Sequence, residues 1–135
     1  MKKGPKGPDL SQGEWEILKV VWEKEPCAAP DVQEALAERR GWSYSTVRTM
    51  MDRLVKKGAL RAEKVRNLTL FRAVLGKDQA RKREFFQFLK RAFDGALTPM
   101  VELLLDHPDL TPEELDRIER LIERKKKGKK KKKKK

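Results

Sequence analysis

Between Ser43 and Gly58 the apolar residues Val47, Met50, Met51 and Leu54 recur at i, i+3, i+4 and i+7, the spacing that gathers side chains on one face of an α-helix. Ser43 can accept a hydrogen bond from a free first-turn amide, and Gly58 can take the left-handed conformation that ends a helix. A helix over Tyr44–Lys57 with one buried stripe is therefore the strongest constraint on the fold. The rest of the chain has to supply the other side of that core.

The flanking segments read in the same terms. Ser11 and Glu14 form a capping box, and Trp15, Leu18, Val21 and Trp22 follow at helical spacing, so a first helix runs to about Lys24 and stops at Pro26. Pro30 suits the first position of a second helix, with Val32, Ala35 and Leu36 inward, Glu34 and Glu38 outward, and an end at Gly41. After the third helix, two β-type runs, Leu60–Lys64 and Thr69–Val74, flank a polar turn at Arg66-Asn67 and predict a hairpin. Three helices and a hairpin, in this order, predict a winged helix-turn-helix domain over residues 10–76.

Residues 77–124 return to helical periodicity. Phe85, Phe86, Phe88, Leu89, Ala92 and Phe93 make an apolar face too wide for one helix to hide. Gly95 interrupts it, Thr98-Pro99 restarts it through Met100, Val101, Leu103, Leu104 and Leu105, and Thr111-Pro112-Glu113-Glu114 caps a last helix with Leu115, Ile118, Leu121 and Ile122. Fewer than about 50 residues do not build a stable core alone, so these faces need a second copy or the first domain as cover. The reading favoured is a dimer interface built from Phe85, Phe86, Leu89, Phe93, Val101, Leu104, Leu115, Ile118, Leu121 and Ile122, with a ligand pocket at the phenylalanine seam left open. The fold class predicted is mainly α with a small β-hairpin, an N-terminal winged helix-turn-helix followed by a C-terminal helical dimerisation region.

Charge must be located before it is interpreted. Of the net +13 over 135 residues, ten lysines lie in residues 125–135 and a net +2 in residues 1–10, which leaves +1 for the rest. Both ends are read as flexible, a basic segment over 1–9 and a disordered lysine tail over 125–135, because like charges repel and nothing there can be buried. Inside the folded part, Arg39 to Arg72 holds ten basic residues against Asp52 and Glu63, and this is the candidate polyanion surface. No run approaches the roughly 18 apolar residues of a membrane span, and no apolar stretch follows the first lysines, so neither anchor nor signal peptide is expected. One cysteine, Cys27, and one histidine, His107, make neither a disulfide nor a metal set. The expectation is a cytoplasmic protein with no cofactor and no metal. Cys27 near a helix start could be a redox thiol but reads better as an inert turn residue, and His107 reads as a solvated loop residue rather than a pH switch.

On the third helix, Ser45, Arg48, Thr49, Asp52, Arg53 and Lys56 fall opposite the apolar stripe. A helix that reads the major groove needs short hydrogen-bonding side chains near base edges, an arginine able to reach guanine, and flanking cations for phosphates. Ser45, Thr46, Arg48 and Thr49 meet the first two needs, and Arg53, Lys56 and Lys57 the third. A hairpin carrying Lys64, Arg66 and Arg72 can lie along a phosphate backbone. The partner predicted is double-stranded DNA. The competing reading is a protein-interaction module with a polyanion-binding lysine tail. An enzyme lacks its parts: no nucleophile paired with a histidine, no phosphate-cradling glycine loop and no metal set.

These residues also carry a family likeness. Leu10-Ser11-x-x-Glu14-Trp15-Glu16-Ile17-x-Lys19-Val20-Val21-Trp22, followed by Trp42-Ser43-Tyr44-Ser45-Thr46-Val47-Arg48-Thr49-x-x-Asp52-Arg53-Leu54-Val55-Lys56-Lys57-Gly58, resembles the penicillinase-repressor family of bacterial regulators over about residues 10–124. The resemblance implies a homodimeric repressor on a palindromic operator, with Ser43, Ser45, Thr46, Arg48 and Thr49 at the DNA face. The hairpin here differs in length and composition from the family's usual glycine-containing wing. The antibiotic-resistance members resemble one another in an Asn-Phe bond cut by a sensor protease, and the aligned place here is Leu103-Leu104, so release by that cut is not expected. The copper-responsive members carry C-terminal cysteines, where this chain has lysines.

Overall fold

The computed structural model describes residues 9–133, so residues 1–8 of the basic segment expected over 1–9, and the last two lysines of the tail, lie outside the described residues. The chain forms two compact units, one up to Phe88 and one from Leu89. The division falls later than residue 76 because the first turns of the helix after the hairpin belong to the first core, where Ala80 is fully buried.

In the first unit, α1 (Gln12–Lys24) begins at the capping box. The Glu14 amide donates to Ser11 Oγ at 3.1 Å and the Ser11 amide to Glu14 Oε1 at 2.9 Å. The second helix is broken rather than continuous: α2 (Ala29–Ala35) and α3 (Ala37–Arg40) meet at Leu36, whose φ of −104° and ψ of 9° interrupt the helix. The break leaves Val32 and Leu36 buried while Ala35, expected inward, is exposed. Ala28 has no side chain to cap with, and Asp31 compensates by accepting from the Ala28 amide at 2.9 Å.

The third expected helix is α4 (Tyr44–Lys56), capped by Ser43 and ended at Gly58, whose φ of 84° suits a residue without Cβ. Strands β1 (Leu60–Val65) and β2 (Leu68–Ala73) pair antiparallel in the register Leu60 to Ala73 and Val65 to Leu68. One face of the hairpin puts Leu60 and Phe71 into the core. The other carries Arg61, Glu63, Leu70 and Arg72. A single bridge from Cys27 continues the sheet, its amide donating to Phe71 O at 3.2 Å and its carbonyl accepting from the Phe71 amide at 2.7 Å.

The core joins Ile17, Leu18 and Val21 of α1, Val32, the α4 stripe of Val47, Met51 and Leu54, and Phe71 of the wing, all fully buried. Met50, expected in the stripe, is only partly buried at its edge.

Helix α5 (Lys77–Phe93) starts in the first unit and runs into the second, which continues with α6 (Leu97–Leu105) and α7 (Pro112–Lys133). The Glu114 amide donates to Thr111 Oγ1 at 3.1 Å, the cap expected there. Helix α7 does not stop near Arg124: it continues through the lysine run to Lys133, where disorder was expected. Lysine is a good helix former, and extending an existing helix adds a hydrogen bond per residue without a new nucleus. Among the described residues no helix is long and apolar enough to cross a membrane.

Candidate nucleic-acid interface

Helix α4 presents a polar face because its three fully buried residues, Val47, Met51 and Leu54, fix its rotation. Ser45, Thr46, Thr49, Arg53 and Lys56 are exposed on it. At its start the hydroxyls of Ser43, Ser45 and Thr46 lie together: Ser43 Oγ is 3.2 Å from Ser45 Oγ and donates to Thr46 Oγ1 at 3.1 Å. Ser43 also accepts from the Thr46 amide at 3.2 Å, so its first role is to cap the helix. Ser45 and Thr46 stand exposed in the first turn, beside amides at the positive end of the helix dipole.

Two of the expected DNA-contact residues, Arg48 of this face and the flanking cation Lys57, are engaged by contacts within the chain. Arg48 is half-buried, its Nε 3.2 Å from Asp52 Oδ1, its Nη1 3.5 Å from the Tyr44 hydroxyl and its Cζ 5.5 Å from the centre of the Phe71 ring. The hydrogen bond to Tyr44, then that to Asp52, raise its pKa. It therefore lies at the junction of α4 and the wing, held in place by its neighbours, instead of projecting freely.

Lys57, expected as a phosphate contact, has turned inward. Its ammonium donates to Glu14 Oε1 at 2.7 Å, to Glu14 Oε2 at 2.9 Å and to the Asp9 carbonyl at 2.9 Å, which occupies all three of its hydrogens. Glu14 is 1% exposed. Burial alone raises a carboxyl's pKa, but the hydrogen bonds from Lys57 and Ser11 and the ammonium charge outweigh it and hold Glu14 below the ordinary glutamate value. The capping carboxylate of α1 thus also clamps the end of α4. The physical reason for this placement is that a buried carboxylate needs a cation, and Lys57 supplies one.

On the wing, Arg66 occupies the tip with a φ of 59°, a left-handed conformation uncommon for a residue with a Cβ. Arg72 sits on the outer face, its Nε 3.6 Å from Glu63 Oε1 and directly across from Arg61. Arg61 was not singled out from the sequence. Strict alternation from the buried Leu60 is the signal that places it beside Arg72.

Cys27 is 2% exposed and its thiol is pushed up to about 11, chiefly by burial and then by Asp31 and Glu25. A thiol held protonated in this way is a poor nucleophile, in keeping with its place in the core cluster. His107 accepts through Nδ1 from the Asp109 amide at 3.0 Å in the α6–α7 loop.

Of the residues expected at a dimer interface, Phe85 and Phe86 on α5 are exposed, in edge contact with each other at 5.5 Å. Leu104, Leu115, Leu121 and Ile122 are also exposed, Phe93, Val101 and Ile118 are partly buried, and Leu89 is buried. Leu97, Leu103 and Leu105 add to the exposed set, and α6 has no buried residue at all.

A model of the penicillinase repressor family matches residues 10–124. The penicillinase repressor of Bacillus licheniformis is 30% identical over 119 residues, spanning 88% of this chain and 93% of that protein. The methicillin resistance regulatory protein MecI of Mammaliicoccus sciuri is 23% identical over 117 residues, spanning 87% and 95%. The solution structure of the monomeric form of Bacillus licheniformis BlaI with the blaP half-operator aligns at a TM-score of 0.48 and 31% identity, over 55% of this chain and 90% of that one. The chain belongs to the penicillinase repressor family, and it is a DNA-binding repressor of that class rather than an enzyme.

Proposed function

We propose that this protein is a cytoplasmic repressor that binds a palindromic operator as a homodimer. Helix α4 enters the major groove with Ser45, Thr46 and Thr49 against base edges, while Arg53, Lys56, Arg66 and Arg72 contact phosphates. Arg48 reads a guanine by exchanging its bond to Asp52 for the base. The observation that carries this reading is the exposed hydroxyl and cationic face of α4, rigidly oriented by its buried stripe, in a chain of this family.

What supports a second copy is α6, whose Leu97, Leu103, Leu104 and Leu105 are exposed among the described residues. Two α4 helices related by a two-fold axis read two half-sites about one helical turn, or a multiple of it, apart, which makes the operator palindromic. Occupying a promoter in this way excludes polymerase. The lysines that extend α7 add counterion-release affinity that is indifferent to sequence.

The test is selection of bound duplexes from a random DNA pool, by the full chain and by a version ending at Arg124, at near-physiological salt. A shared palindromic motif from both is the expected result. Binding without a motif that disappears with the lysines would instead favour the polyanion-binding interaction module.

A further inference from the structure

At the edge of the core, where Trp15 and Trp22 are half-buried against it, Trp15, Lys19 and Trp22 recur along α1 at i, i+4 and i+7, with Glu23 beside them. They face Lys77 and Arg81 of the first turns of α5. Together the six residues line a cavity of about 340 Å³, at the small end of ligand-site volumes. All six lie within the first unit.

The two indoles meet edge to face, ring centres 5.8 Å apart at 74°. Trp22 is pinned by its Nε1–H, which donates to the Leu75 carbonyl at 3.0 Å, so one wall is rigid before anything binds. Lys19, Lys77 and Arg81 are exposed, and none of the three is in a salt bridge among the described residues. Glu23 is the only carboxylate in the lining, so the cavity carries an excess of two positive charges over an aromatic floor. The unit's fold does not require these cations there: its buried carboxylate, Glu14, is already served by Lys57.

We propose that this cavity is an effector site for a small aromatic carboxylate, its ring packed against Trp15 and Trp22 and its carboxylate held by Lys77 and Arg81. Flat rings pack on indoles by offset or edge contact, and a guanidinium beside an ammonium suits a carboxylate better than a neutral group. An aliphatic acid leaves the indoles uncovered, and a neutral ring leaves the cations unpaired. Helix α1 packs against α4 within the first unit, so a ligand held between α1 and the first turns of α5 lies on the same core that orients the α4 face. Any difference in its affinity for the DNA-bound and free states appears as an equal change in operator affinity. This last step rests on the repressor reading above, whereas the binding step does not.

The test is calorimetric titration of the full chain with 2-naphthoate, its neutral amide 2-naphthamide, and acetate. Losing a charge-assisted contact of about 1.5 kcal/mol corresponds to about a tenfold weaker Kd, which is expected for 2-naphthamide and for Lys77→Ala and Arg81→Ala with 2-naphthoate. Acetate is expected to give no saturable heat. Equal affinity for the acid and the amide, or unchanged 2-naphthoate binding in both variants, would overturn the site. Lys56→Ala, which lies on α4, is expected to bind 2-naphthoate as the unsubstituted protein does even where its DNA binding is weakened, which separates this proposal from the repressor reading. Saturating 2-naphthoate is expected to change operator affinity by at least about fivefold, and an unchanged operator affinity would overturn the effector role.

Discussion

The two units answer the same problem, how to hide apolar surface, in opposite ways. The first closes a core within one chain, with Ile17, Leu18, Val47, Met51, Leu54 and Phe71 fully buried across three helices and a hairpin. The second is at least as rich in leucine, yet α6 buries none of its residues and α7 leaves Leu115, Leu121 and Ile122 exposed. Apolar side chains left in water forgo about 25 cal/mol for each Å² that burial would remove from it. The difference teaches that the first unit hides its apolar residues within itself, whereas among the described residues the second leaves most of its leucines exposed.

The largest effect that probes this contrast is in the closed core. Phe71→Ala removes a fully buried ring and is expected to cost about 3–5 kcal/mol of unfolding free energy, read by urea titration with circular dichroism. A loss below about 1 kcal/mol, the range of a surface substitution, would break the description of the first unit as self-sufficient.

In the second unit, Leu104→Glu places a charge on the exposed face of α6. It is expected to weaken self-association by about 100-fold, or roughly 3 kcal/mol, from lost apolar burial and a desolvated carboxylate. The α4 face and its helical signal should be unchanged, and sedimentation velocity over a concentration series reads the difference. Equal association by both proteins would place the interface elsewhere.

Lys57→Met tests the clamp between α1 and α4. It strands the buried Glu14 carboxylate and is expected to cost roughly 2–3 kcal/mol at pH 7, less than the about 3–5 of a wholly buried pair, because the Lys57 side chain keeps 29% of its exposure. The sign with pH follows from the lowered Glu14 pKa: the pair's contribution is full above the ordinary glutamate value of 4.5 and is lost as pH falls through the folded-state value. The gap between the two proteins should therefore narrow in acid. A gap that stays constant from pH 7 to pH 3 would show that packing, not the ion pair, is at work.

The smallest effects separate the roles on α4. Arg48→Ala is expected to cost about 1–3 kcal/mol in operator binding and to relax preference at one base pair, whereas Lys56→Ala weakens all sequences alike and lowers the salt slope by about one. Equal, salt-independent losses from both would remove that division.

What could be read from the sequence was local. The Ser11–Glu14 box, the Ser43 cap, Gly58, the Thr111 cap and the hairpin around Arg66-Asn67 all rest on residues within a few positions of one another, and they fall where their spacing puts them. What escaped was set at a distance. Lys57 meets Glu14 across 43 positions of sequence, and Arg48 is drawn toward Phe71 by the folding-back of the wing. The break at Leu36 is local, but no glycine or proline marks it. It goes with burial of the Leu36 side chain, a consequence of tertiary packing that no propensity encodes. The lysine run has repelling charges and nothing to bury, yet its attachment to an already formed helix makes it helical to Lys133.

The most direct test of the account is the number of chains bound to one duplex carrying a selected two-half-site operator, measured by sedimentation equilibrium with the full protein and with Leu104→Glu. Two chains per duplex are expected for the full protein, and for Leu104→Glu a much weaker complex that fills the half-sites independently. One chain per duplex, or two chains bound as tightly with Leu104→Glu as without it, would contradict it.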